Sequence, residues 1–156
     1  MVESHSHWRE AVHEAGHAVM AVLLGRPIVH VQIEPQPETK MRSPTVLPKR
    51  RVEDSAERAH LEGEAMLALA GLSAERVLGV ASQESLVASR ADLEIATRVA
   101  RLTVGGARAD KAVAHHISVV ERMLERRREL VVNLAKTLLE KQRLSGDDVR
   151  AIVPRQ

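Results

Sequence analysis

At 156 residues the chain has room for one domain, or one domain with an appendage, and can bury a sizeable core without a disulfide or a metal to hold it. It is 44% hydrophobic yet has no Phe, Tyr or Cys and a single Trp, so the core is built from Ala, Val, Leu, Ile and Met. That excludes base-stacking aromatic platforms, disulfide scaffolds, Cys-ligated zinc and thiol catalysis, while a formal net charge of +2 gives no case for nucleic acid or an anionic membrane as partner.

Residues 1–7 read as a polar tail and residues 8–153 as one domain. The first 25 residues carry charged and His residues among the apolar ones, so no signal-peptide core is visible, and no apolar run approaches the ~20 residues of a membrane span. The expected compartment is the cytoplasm. From Trp8 to Leu24 apolar and small residues recur at spacings of three and four, which predicts a helix ended by Gly25-Arg26-Pro27. Ile28–Ile33 is β-branched and roughly alternating, hence a strand, ended by Pro35 and Pro37. A second strand is expected near Arg42–Leu47, between Pro44 and Pro48, at a sheet edge.

The rest reads as helix. Asp54 with Glu57 opens one helix to about Leu69, and a further segment, Ser73–Leu78, ends at Gly79. Ser89 with Asp92 opens another that ends at Gly105-Gly106. A long helix is expected from about Ala112 to Gln142, and Ser145 with Asp148 caps a last short one. The fold class is mainly α, with a small β-sheet near the N-terminal helix.

The strongest chemical signal is His13-Glu14-Ala15-Gly16-His17. Two His at i and i+4 share a helix face, so both imidazoles can converge on one ion, and Glu14 sits where it can take a proton from a water on that ion. Shuffling this composition gives the pattern about 0.04 times per chain, which disfavours chance. Met20 and Leu24 extend the same stripe and place the pair at the edge of the core. A catalytic zinc needs a third protein ligand, but the metzincin extension is missing, since Met20 and Leu23 occupy its Gly and His positions. Spacing leaves His30, Glu75, Asp92 and the adjacent His115-His116 as candidates, although adjacent His point apart on a helix. Taken alone, Asp92 reads as the partner of Ser89 in a helix cap.

HEAGHAVMAVLLG followed by VHVQI resembles the peptidase domain of the FtsH-type ATP-dependent zinc metalloproteases. SPTVLP, LALAGLSAERVLG, ASRADLEIATRVAR and LLEKQRLSGDDV resemble later segments of that family in the same order, so the likeness covers about Ala11 to Ile152. It implies a helical, zincin-like peptidase fold, Zn2+ as cofactor, and His13, His17 and Asp92 as ligands with Glu14 as catalytic base. A ligating Asp92 can still serve as a cap, because a carboxylate has two oxygens. The family's ATPase module is not found in these residues: Lys136-Thr137 lacks the preceding glycines of a phosphate loop. The expectation is therefore an ATP-independent zinc metalloendopeptidase acting on unfolded or flexible protein. A separate ATPase partner and a homo-oligomer are both compatible with it, and the hexamer common in the family loses its main support. The alternative is a non-proteolytic metal-binding regulator or adaptor of the same fold, for which Glu14 has no use.

With no Tyr, an oxyanion would be steadied by His30, His60, an Arg or backbone amides. Ile28–Ile33 is the strand expected to offer an edge to an extended peptide. His5 and His7 belong to the tail, and Trp8 is expected to pack on the first helix. Lys49-Arg50-Arg51 and Arg126-Arg127-Arg128 read as solvated faces.

Overall fold

The computed structural model describes residues 2–155. It is mainly helical with a small three-stranded antiparallel sheet. Helix α1 spans Val2–Leu23, so the expected tail is helical from Val2 on. One local and one distant contact accompany that extension: Ser6 Oγ donates to Glu10 Oε1 at 3.4 Å, one turn away, and His7 Nε2 lies 3.5 Å from Oε1 of Glu34, beyond β1. Trp8 is half-buried against the main core.

Strand β1 is Ile28–Gln32 and β2 is Glu38–Met41. The second strand thus comes earlier than the expected Arg42–Leu47, in the Pro-free stretch after Pro37; residues 42–47, interrupted by Pro44, are irregular. A third strand, β3 (Arg143–Ser145), pairs with the other side of β1. The order β2-β1-β3 makes β1 the central strand, which corrects the expectation that Ile28–Ile33 offers an edge. Both sides of β1 are already bonded, and β2 and β3 are the edges.

Helix α2 runs unbroken over Ser55–Val77. Asp54 caps it, its Oδ2 accepting from the Glu57 amide at 2.9 Å, as the sequence predicts. The expected break between Leu69 and Ser73 does not occur. Gly71 costs about 1 kcal/mol of helix propensity, but this stretch is buried against α1 and packing decides. At the crossing a Cβ on Gly16 would lie 2.5 Å from both the Ala70 carbonyl oxygen and the Ala74 Cβ, so the helices meet backbone to backbone.

Helix α3 (Gln83–Ala88), not foreseen, precedes α4 (Arg90–Val104), which ends at Gly105 as expected. The expected long helix is two: α5 (Ala109–Glu125) and α6 (Arg128–Lys141). Arg127 leaves helical geometry at φ −122°, ψ 26°, which lets α5 pack on α2 and α4 while α6 packs on α1. Arg128 donates from Nη2 to the Val77 carbonyl at 2.7 Å and ties the turn to the end of α2, so this basic run is more than a solvated face. Helix α7 (Gly146–Ile152) opens with the expected Ser145–Asp148 capping box. The main core joins α1, β1, α2, α5, α6, β3 and α7, and a smaller one between α2 and α4 holds Leu61, Leu69, Ala96 and Val99. Among the described residues no helix is long and apolar enough to cross a membrane.

Candidate metal centre

Helix periodicity puts His13 and His17 on the face of α1 that meets α2, and the first turn of α4 brings Asp92 over them. The two Nε2 atoms are 3.0 Å apart, and Asp92 Oδ2 is 3.7 Å from that of His13 and 3.4 Å from that of His17. This is the one cluster of three potential ligands among the described residues. A tetrahedral zinc with bonds of about 2.0–2.1 Å needs donor–donor edges of roughly 3.3 Å, and these three separations bracket that value.

The outer nitrogens fix the tautomers. His13 Nδ1 donates to Glu75 Oε1 at 2.6 Å, and His17 Nδ1 donates to the Leu67 carbonyl at 2.8 Å. Both Nε2 lone pairs then face each other, an arrangement that calls for a cation between them, whether proton or metal. Burial pulls the His13 pKa down, but Asp92 and Glu75 outweigh burial and push it up to about 9. Burial likewise works against the charge on Asp92, yet hydrogen bonds to both His hold its carboxyl well below the usual carboxylate range. The donor set therefore fits a divalent cation of imidazole and carboxylate preference.

Gly71 makes the convergence possible. A Cβ there would lie 2.6 Å from His17 Nε2 and closer still to His13 Nε2, so any side chain would push the imidazoles away. One turn further on α2, Glu75 is fully buried. It accepts from His13, from the Ser85 hydroxyl and, at 3.4 Å, from Arg9 Nη1. Glu75 was a candidate third ligand; it sits on the far nitrogen of His13 instead, where it sets the ring's orientation and basicity.

Glu14 is buried beside the pair, and Thr39 of β2 donates to its Oε2 at 2.6 Å. Ser89 is the residue before α4, but its side chain makes no cap bond and its Oγ is buried without a partner. The cap reading of Asp92 fails because the Asp92 carboxylate turns to the two His.

The remaining candidates lie elsewhere. His30 is held in β1 between Arg143 and Glu38, His60 lies 2.9 Å from Arg26 Nη1, and His115 and His116 stay on α5. None of them lines the cleft of about 280 Å³ that opens over His13, Glu14, His17 and Asp92, nor does any Arg. The side chains expected as oxyanion donors, His30, His60 and the arginines, thus lie away from this cleft. Sequence reasoning missed Thr39, Arg9, Ser85 and the Leu67 carbonyl. Arg9 stands one turn before His13, and Leu67, Gly71 and Glu75 share a face of α2, so helical spacing could have found these; no signal marked Thr39. Compared with models of protein families and with curated proteins, the chain matches none.

Proposed function

We propose that this chain is a zinc-dependent metallopeptidase that cuts unfolded or flexible protein segments. The observation that carries the reading is the triangle of His13, His17 and Asp92, sized for zinc, with the Glu14 carboxylate beside it on an open cleft. The resemblance of the ordered sequence segments to FtsH-type peptidase domains supports the same reading.

His13, His17 and Asp92 would hold the ion. Bound there, zinc supplies a Lewis acid for the scissile carbonyl and lowers the pKa of a water molecule. Glu14 takes the proton of the attacking water and returns it to the leaving amine. Thr39 engages Glu14 Oε2 and leaves Oε1 for that proton. Strand β2 is a free edge whose Thr39 and Met41 line the cleft, so an extended peptide can pair with it beside Glu14.

The test is elemental analysis of purified chain beside His17→Ala, Asp92→Ala and Glu14→Gln, followed by casein cleavage on the same samples. About one zinc per chain, lost in the first two variants and kept in the third, is expected. Casein should be cut by the parent chain alone. A chain that holds zinc but leaves casein intact is a binding module, and one that holds no zinc after loading sinks the metal reading altogether.

A further inference from the structure

The metal cleft continues into two more hollows. It shares Met41, Thr45, Glu64 and Leu67 with a neighbouring cavity of about 230 Å³. That cavity shares Gly25, Arg26 and Pro27 with a third, of about 300 Å³. Charge changes sign along this path. The metal end carries Glu14, Glu64 and Asp92, and the far end is lined by Arg26, Arg42, Arg150 and Arg155, with no acidic residue in its wall. The Arg26–Glu64 ion pair, 3.4 Å, stands between the two.

The four arginines come from the α1–β1 turn, the residue just after β2, α7 and the segment after α7. Like charges gathered from four places oppose one another unless counterions meet them, and few do. Arg26 is committed to Glu64 and His60, and Arg150 to Asp147. Among the described residues, the side chains of Arg42 and Arg155 make no hydrogen bond or ion pair. Gly25, at φ +69°, leaves the space Arg155 uses: a Cβ there would lie 3.1 Å from its Nη2.

We propose that this end of the groove binds an acidic stretch of the peptide substrate, with Arg42, Arg150 and Arg155 as the recognising side chains. The proposal rests on the peptide-cleaving reading for the class of ligand. Guanidinium groups suit carboxylates through paired N–H donors. Thr39 adjoins Glu14, and Arg42 follows it by three residues, so at about 3.3 Å per residue the acidic stretch lies roughly three to five residues from the bond that is cut.

The test uses the full chain, zinc-loaded, with Glu14→Gln to prevent turnover. Two fluorescent unstructured peptides, identical except for a run of Glu in one and Gln in the other, are titrated by polarisation. The Glu peptide should bind about tenfold tighter, with the preference shrinking as salt rises. Arg42→Glu/Arg155→Glu should abolish the preference, and Arg42→Gln/Arg155→Gln should weaken it; neither exchange removes an internal contact, and thermal melts confirm folding. Equal binding of both peptides overturns the proposal, and a preference untouched by the variants overturns its assignment to these arginines. Casein cleavage by the parent chain is read separately. Cleavage with equal peptide binding sinks this proposal alone, whereas an Arg-dependent preference without cleavage sinks the peptidase reading and leaves an acidic-peptide site.

Discussion

The two ends of the groove are built on opposite plans. At the metal end the side chains of the cluster are held in place: His13 by Glu75, Glu75 by Arg9 and Ser85, His17 by the Leu67 backbone carbonyl, Glu14 by Thr39. His13, Glu14 and Glu75 are buried. At the arginine end Arg42, Arg150 and Arg155 are exposed, and two of them have no internal partner. Buried donors that share partners have one low-energy arrangement, which suits an ion demanding fixed distances. Exposed guanidinium groups on long stems adapt, which suits a ligand of variable sequence. Substitutions at the first end should therefore disturb neighbours, and substitutions at the second should not.

The largest break is expected from Gly71→Ala, which touches no ligand yet fills the space both imidazoles occupy. Zinc affinity should fall by more than about 100-fold, beyond the usual loss from altering a ligand's partner. Retention of full zinc by this variant would contradict the close approach. Glu75→Gln comes next. It keeps the shape but removes the charge behind His13, and zinc affinity measured by chelator competition should drop about 10- to 100-fold.

The comparison sharpens with pH. Zinc must displace the proton that Asp92 and Glu75 hold on His13, so its apparent affinity should rise roughly tenfold per pH unit up to about pH 9 and then level off. In the metal-free chain the sign is reversed. The His13 pKa is raised in the folded state, so its contribution to stability is complete below about 6.5 and is lost as pH climbs through about 9. Urea melts in chelator across that range should show the decline, and Glu75→Gln should flatten it.

Thr39→Val should leave zinc content unchanged and lower kcat roughly tenfold with little change in KM, the scale of one hydrogen bond to a charged group, and Thr39→Ser should restore it. A matching loss of zinc would mean that Thr39 supports the fold and not the orientation of Glu14. Smallest of all, Arg42→Gln/Arg155→Gln should alter stability by less than about 0.5 kcal/mol. A large shift in the melt would show that these arginines carry structure.

Much of the metal end was legible because helices write their contacts at fixed spacing. His13, Glu14 and His17 could be placed from one pentapeptide, and the Asp54 and Ser145 caps from local side-chain chemistry. Asp92 was not legible on those terms. Its spacing from Ser89 pointed to a cap, and only the family resemblance pointed to the two His it faces. Tertiary choices hid the rest. Gly71 looked like a helix break and is a helix crossing. The turn between α5 and α6 carries no Gly or Pro, and it exists because two parts of one apolar run pack on different neighbours. The arginine end joins residues 26, 42, 150 and 155, a separation no local pattern reveals.

Strand β3 adds a constraint on timing. It supplies one flank of β1, and α6, just before it, covers α1, so the helix bearing His13 and His17 and the strand after it are completed only by residues from Arg128 to Ser145, far along the chain. Loops of this length close slowly, because their entropy is lost before any contact repays it. A growing chain on the ribosome, or one cut before Arg128, would expose the bare side of β1 and the uncovered back of α1 together. Such a species would be a strand template for other chains before it is a folded protein.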